Sequence, residues 1–242
     1  MFCNPNACFY EYLAYQTEWL NYYTTELGLN MIIFNYRGYG RSDMSSSNMF
    51  MQRNFKMINP EHMMKDAAVV LEYAKEKFIQ LPENYDNVIT SPKINVKVII
   101  HGESLGGMAA SFVAMKDKKL PVDFVFINRT FSSLDSVAFW GAGISTMLSN
   151  ILNHSIPTSS FCYMKRRTYA KIIGKIVTKV FGIVTQWNDS NLKNYLGIEK
   201  SLAKYVLYGC DPVNDNIVND LSSLKSANTR HLIYESMNVP FE

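Results

Sequence analysis

Residues 96–107 read as a buried strand that turns sharply and continues directly into a helix. Four of the six residues from Val96 to His101 are β-branched, and the residues that follow the turn are mostly small or apolar. The turn has the sequence Gly-Glu-Ser-Leu-Gly, with Ser104 at its centre. Glycines two residues before and after the serine let strand and helix pack closely, because neither brings a Cβ atom to the contact. This one pattern therefore predicts a strand, a tight turn and a helix together.

A turn of this kind, called a nucleophile elbow, is suited to chemistry at Ser104. A serine hydroxyl is a weak nucleophile until the backbone presents it next to a base and to free amide donors. The amide of Leu105, at the start of the following helix, would donate to a developing negative charge. The alternative interpretation is an ordinary strand-to-helix turn whose serine has no chemical role.

Composition favours a single globular domain over residues 1–242. The 242 residues are 48% hydrophobic and 19% charged, which suits a large core, and a net charge of +3 is too small to indicate a nucleic-acid partner. The four cysteines lack metal-ligand spacing and no signal-peptide pattern is recognised, so we expect reduced thiols in a cytoplasmic protein. No apolar stretch reaches the roughly 20 residues that span a bilayer. Neither a metal nor an organic cofactor is expected.

Strand-like and helical runs alternate along the chain, which predicts an α/β protein with a mostly parallel sheet and helices on both faces. Besides the strand before Ser104, strands are predicted at 31–36, 121–127, 204–208 and 231–234. Helices are predicted at 13–27, ended by Gly28, and at 59–80, where Asn59 and Pro60 are typical of a helix start.

Residues 136–200 contain no convincing strand and predict a helical cap inserted into the domain. Within it, a helix at 170–186 carries Lys171, Lys175 and Lys179 on one side and apolar residues on the other. One interpretation is a cap helix with its lysines in solvent. The other is a peripheral membrane contact, in which the basic side faces anionic lipid.

Five segments, taken in order, resemble the α/β-hydrolase superfamily, in particular its serine-aminopeptidase-like and abhydrolase-domain branch of intracellular esterases and lipases. The segments are 4–7, 35–42, 102–107, 128–134 and 215–224. The resemblance implies that the strand before Ser104 is the fifth of eight and that the third strand lies between the fourth and the fifth. It also implies a cap after the sixth strand, a catalytic acid after the seventh and a catalytic histidine after the eighth.

The resemblance also implies roles for individual residues. Ser104 would attack an acyl carbonyl, and the Leu105 amide would be one donor of the oxyanion hole. The second donor would come from the backbone of Asn6 and Ala7. Because removal of one such donor costs about 100- to 1000-fold in rate, this backbone matters as much as a side chain.

Two aspartates compete for the role of catalytic acid. Asp211 follows the predicted strand 204–208 closely, whereas Asp215 precedes an apolar pair and then the serines at 222–223, as the family pattern expects. Asp215 is therefore favoured, and the alternative is that either aspartate caps a turn or a helix. Asn128 stands where many relatives carry an aspartate, so no acid is expected there.

None of the four histidines fits the last catalytic position. His62 falls in a predicted surface helix, His154 in the cap, and His101 at the end of the elbow strand with its ring against the sheet. His231 follows Asp215 but opens a predicted strand, whereas active sites form at the carboxyl ends of strands. Six strand residues would put it roughly 20 Å from Ser104.

Strands at the front of the family pattern are missing as well, since residues 1–3 provide only a stub of the third strand. We therefore expect a fragment of a larger hydrolase without the first strands and the last helix. In such a fragment, the predicted strand 31–36 would have no neighbour on either side.

Two functions follow from these observations. The first is a serine hydrolase that cleaves an ester, thioester or amide of a small-molecule or lipid-like acyl substrate through an acyl-enzyme on Ser104. The second is a catalytically inactive α/β-hydrolase-like fragment, or a membrane-surface or protein-binding module, that lacks the catalytic histidine.

Overall fold

The computed structural model describes residues 1–6, 8–13, 18–42, 59–78, 96–116, 122–133, 136–137, 176, 179–180, 190–208 and 223–236. The elements in these ranges are β1 (Phe2–Cys3), α1 (Tyr10–Leu13), α2 (Glu18–Asn21), a π-helix (Tyr22–Glu26), α3 (Pro60–Phe78), β2 (Ile99–Glu103), α4 (Gly106–Lys116), β3 (Phe124–Asn128), α5 (Asn191–Leu196), β4 (Ala203–Leu207) and α6 (Leu224–Ser236). The four strands form one parallel sheet in the order β1-β2-β3-β4, so the chain has the predicted α/β class.

The centre of the sheet is the pair β2 and β3. They run parallel in register, from Ile99 opposite Phe124 to Glu103 opposite Asn128. Both strands alternate half-buried and fully buried residues, and α4 packs against both. The predictions at 121–127 and 204–208 are confirmed as strands, with bounds shifted by one to three residues.

Strand β1 is short but pairs on both sides. It runs parallel to β2, while Phe2 forms a parallel bridge with Ile33 and its N–H donates to the oxygen of Ile32 at 2.9 Å. The expectation that the segment 31–36 has no neighbour is therefore wrong. That segment is nevertheless reduced from a predicted strand to one bridge, because β1 ends before Pro5, which has no N–H to extend the pairing.

Helix α3 begins where the sequence predicts. The side-chain oxygen of Asn59 accepts the N–H of Glu61 at 2.8 Å, which satisfies one of the amides left open at the helix start. The helix is described as far as Phe78, and the last two residues of the prediction, 79 and 80, lie outside the described residues. Its inner face carries the buried side chains of Met63, Met64, Ala67, Leu71 and Ala74.

The described residues of the predicted helix at 13–27 are helical as far as Glu26, although the type of helix changes at Tyr22. The described parts are α1, α2 and the π-helix Tyr22–Glu26, and residues 14–17 lie outside the described residues. Gly28 has φ +62 and follows this helical stretch, as the sequence predicts for its end.

The predicted strand 231–234 is wrong, because these residues belong to helix α6. The oxygen of the Ser223 side chain accepts the N–H of Ser226 at 3.1 Å and caps the helix start. A run of only three or four apolar residues does not distinguish strand from helix. Here the capped start and the 13-residue length of the helix decide the conformation.

The chain divides into two compact units, Met1–Asn128 with Asn194–Val206, and Arg129–Lys193 with Leu207–Glu242. Most of the predicted cap at 136–200 lies outside the described residues. Of its predicted helix at 170–186, the structure describes residues 176, 179 and 180, all helical. Among the helices that the structure describes, none combines the length and apolar character needed to cross a bilayer.

Candidate functional site

Ser104 lies in the turn between the end of β2 and the start of α4, with φ +50. A non-glycine residue in this left-handed region costs roughly 1 to 3 kcal/mol, so the surroundings must hold it there. The backbone N–H of Ser104 donates to the backbone oxygen of Asn128 at 2.9 Å, and the backbone oxygen of Ser104 accepts the N–H of Gly107 at 3.1 Å. Hydrogen bonds to the end of β3 on one side and to the start of α4 on the other therefore fix the backbone conformation of Ser104.

The two glycines flanking Ser104 have no room for a side chain. A Cβ atom on Gly102 would lie 2.5 Å from the oxygen of Gly106 and 2.6 Å from the Cβ of Ala110. A Cβ atom on Gly106 would collide with the carbonyl oxygen of Cys3, at the end of β1. The prediction that these glycines allow close strand-to-helix packing is confirmed.

The start of α4 offers backbone donors beside Ser104. Within the described ranges, neither the Leu105 amide nor the Gly106 amide has a hydrogen-bond acceptor, as is usual for the first amides of a helix. The partial positive charge at a helix start adds to their ability to stabilise an anion. The Leu105 side chain is 3% exposed and packs in an apolar cluster with Pro60, Met63, Met64, Met108 and Ala109. Residue 105 is therefore held firmly while its amide stays available.

The segment after β1 lies against the elbow, as the predicted oxyanion position requires. The carbonyl oxygens of Cys3 and Asn4 both lie next to the Cα of Gly106. Two residues further on, Asn6 sits in a turn and its Oδ1 accepts the hydroxyl of Tyr39 at 2.7 Å. Ala7 lies outside the described residues. The structure thus brings together the elbow and the start of the 4–7 segment.

Two contacts of this segment go beyond the sequence analysis. The fully buried Asn4 donates from Nδ2 to the oxygen of Phe34 at 2.6 Å, and Tyr39 holds Asn6. The only sequence signal for Tyr39 is its position between two glycines in the loop at 37–42. Nothing in the sequence pairs it with a residue 33 positions earlier.

Both candidate acids, Asp211 and Asp215, lie outside the described residues, and so does His154. Asn128, which stands where many relatives carry an aspartate, ends β3 opposite Glu103 and accepts the Ser104 N–H through its backbone oxygen. At this position the backbone supports the elbow.

The ring of His101 lies against the sheet, as predicted, and the residue is half-buried. Its ring centroid lies 4.8 Å from that of Phe2 and 4.7 Å from that of Phe126, and its Nδ1 is 3.2 Å from the hydroxyl of Tyr23. Burial lowers the pKa of His101 to about 4, and its Nε2 is buried with no hydrogen-bond partner in the described part of the chain. A base this weak, with its ring held between aromatic residues, is unsuited to activate a serine near neutral pH.

The other two described histidines lie on helices. His62 is on α3, where burial and the nearby Arg37 charge lower its pKa. His231 is in α6, so the strand-based estimate of its distance from Ser104 no longer applies.

Acidification below pH 6.5 is expected to destabilise the protein by up to about 3 kcal/mol through His101. The unfolded imidazole has its ordinary pKa of 6.5, whereas the folded pKa is about 4, so the unfolded state binds more protons between these values. The contribution of neutral His101 is complete above the unfolded pKa and is lost as the pH falls towards 4. Urea unfolding at several pH values in this window measures the loss.

His101→Phe provides the control for this pH dependence. It keeps an aromatic ring between Phe2 and Phe126 but removes the titrating nitrogens, so the free energy of unfolding should change less with pH than in the wild type. Identical slopes in the two proteins would contradict the role given to His101.

No group of three histidine, cysteine, aspartate or glutamate side chains in the described residues could hold a metal ion. The described part of the site consists of Ser104 on a strained turn, the amides of Leu105 and Gly106, which have no acceptor among the described residues, and the segment that follows β1. Comparison of the chain with models of protein families, with curated proteins and with solved structures finds no match.

Proposed function

We propose that the protein is a serine hydrolase of the α/β-hydrolase type, which cleaves an ester, thioester or amide through an acyl-enzyme on Ser104. The observation that carries the proposal is the backbone of Ser104, at φ +50 in a strand-to-helix turn between two glycines that have no room for a Cβ atom. Strain of this kind persists only where the surrounding structure enforces it, and it concentrates at functional sites.

The order of the strands supports the same proposal. From one side, the sheet runs from the bridge at Ile33 through β1, β2 and β3 to β4. The resemblance to α/β-hydrolases implies the order fourth, third and fifth strand for the first three of these. We therefore assign the short β1 to the third strand of that pattern, from which the oxyanion segment would follow.

In the proposed reaction, the hydroxyl oxygen of Ser104 attacks the carbonyl carbon of the substrate, and the hydroxyl proton passes to a general base. The carbonyl oxygen becomes an anion that accepts hydrogen bonds from the Leu105 amide and from a backbone amide of the segment 6–7. The leaving group takes up the proton as its bond to the carbonyl carbon breaks. Water then attacks the acyl-enzyme, regenerating Ser104 and releasing the acid.

Base and acid come from residues other than His101, whose ring is held among aromatic side chains. Asp215 is the proposed acid, which would orient the base and stabilise its protonated form, as the aspartate of a serine triad does. The proposed substrates are small-molecule or lipid-like acyl compounds. A contact of the 170–186 helix with anionic lipid belongs to the same proposal.

Labelling with a fluorophosphonate tests this function without a known substrate. An activated serine displaces the fluoride and forms a stable bond to phosphorus, so the labelled peptide identified by mass spectrometry should contain Ser104. Ser201, on an exposed turn, should stay unlabelled, and so should Ser104 in protein unfolded with urea before labelling. Absence of labelling in the folded protein, or equal labelling of Ser201, would favour the non-catalytic binding module.

A further inference from the structure

The loop that follows the bridge at Ile33 is a compact double turn. Gly38 and Gly40 have φ +82 and φ +51, and the N–H of Tyr39 between them donates to the oxygen of Tyr36 at 2.9 Å. The loop is closed by the N–H of Gly38, which donates to the oxygen of Ser42 at 3.0 Å. Tyr39 is only 7% exposed, so its side chain points away from solvent.

This loop is anchored to helix α3 by an ion pair. The Arg37 guanidinium donates to both carboxylate oxygens of Asp66. The backbone N–H of Arg37 also donates to Oδ2 of this carboxylate, at 2.9 Å. The side chains are 29% and 15% exposed. Because charge-assisted bidentate pairs fix orientation as well as distance, the loop forms a firm support for what it contacts.

What it contacts is the segment that follows β1. Asn6 lies in the turn whose closing hydrogen bond, from the Cys8 N–H to the Pro5 oxygen, is long at 3.4 Å. The Tyr39 hydroxyl donates to Asn6 Oδ1 at 2.7 Å, within the range of a strong hydrogen bond. The bond from Tyr39 therefore restrains a turn that its own backbone closes weakly.

A second pair of contacts holds the same segment further along. The Tyr10 N–H donates to Asn35 Oδ1 at 2.7 Å, and Asn35 Nδ2 donates to Glu11 Oε2 at 2.8 Å. Gly40 allows this approach, because a Cβ atom there would lie 2.6 Å from Asn35 Nδ2 and 2.8 Å from Glu11 Oε2. Tyr39 and Asn35 thus hold the segment at residue 6 and again at residues 10 and 11.

We infer that Tyr39 is a positioning residue for the oxyanion hole beside Ser104, acting through its hydrogen bond to Asn6. The inference rests on the proposed function. A donor that is out of place by about 1 Å can cost about 100-fold in rate, so a single restraining bond is expected to contribute about 10-fold. Both acylation and deacylation pass through an oxyanion, so both steps depend on this bond.

The test uses p-nitrophenyl butyrate and the variant Tyr39→Phe, which removes only the hydroxyl. We expect kcat to fall about 10-fold while KM stays within about twofold, because the oxyanion forms only in the transition state. Tyr73→Phe is the matched control, since its hydroxyl lies on an exposed face of α3, and it should match the wild type. The unfolding midpoint of each variant is measured in parallel.

Asn6→Ala removes the same hydrogen bond from its other end, at an exposed side chain, and keeps the backbone amide. It should lower kcat by a similar factor, and the double variant should be no slower than either single variant. Wild-type kcat in Tyr39→Phe, a change in KM alone, or additive effects would overturn the role of Tyr39 while leaving the proposed function intact. A wild-type protein that neither hydrolyses the ester nor is labelled at Ser104 would overturn both.

Discussion

The Ser104→Ala variant is expected to lose kcat for p-nitrophenyl butyrate by about a million-fold. Without the hydroxyl no acyl-enzyme forms, so the amides of Leu105 and Gly106 can stabilise only the oxyanion of a slow, direct attack by water. Serine and alanine both carry a Cβ atom, so the strain at φ +50 is the same in the two proteins. The measurements are ester hydrolysis, fluorophosphonate labelling and urea unfolding of both proteins.

Ser104→Gly separates the chemistry of this residue from its strain. It should be as inactive as Ser104→Ala but about 1 kcal/mol more stable, because glycine adopts a positive φ without steric cost. Hydrolysis that survives both substitutions would show that another residue is the nucleophile. Equal stability of the two variants would contradict the strained conformation of residue 104.

Gly106→Ala is expected to destabilise the protein by about 3 kcal/mol or more, since the added methyl group collides with backbone and not with a movable side chain. The atoms in the way are the carbonyl groups of Cys3 and Asn4, which belong to β1 and the residue after it. To make room, α4 must move away from the sheet or β1 must unpair. The free energy of unfolding in urea measures the loss.

Gly197→Ala is the matched control for this substitution. Its Cβ atom would lie 2.6 Å from the sulfur of Met115 and 2.8 Å from its Cγ, atoms of a flexible side chain that can rotate away. We expect a cost below about 1 kcal/mol there. Similar costs at the two positions would mean that the contact between the elbow and β1 is looser than the structure has it.

The elbow and the start of α3 could be predicted from sequence because each depends on residues close together in the chain. Gly102, where a Cβ atom would meet the start of α4, and the pair Asn59–Pro60 act through residues that are close in sequence. The α/β class follows equally well from the alternation of strand-like and helical runs. Features of this kind need no knowledge of what lies across the fold.

The errors have two causes. The run at 231–234 is apolar enough for either a strand or a helix, and the prediction omits the local cap at Ser223, which favours the helix. The pairing of Phe2 with Ile33, by contrast, joins segments that are far apart in sequence. The bond between Tyr39 and Asn6 is also long-range, so local patterns carry no trace of it.

Leu105 combines two tasks in one residue, since its side chain packs among apolar residues of α3 while its amide, just before α4, has no acceptor among the described residues. A systematic alanine scan would therefore misread this position. Truncation to alanine keeps the amide, so it would register as a packing defect and the residue would be classed as purely structural. Only a change to the main chain itself, such as an ester in place of the peptide link before Leu105, would reveal its share in the chemistry.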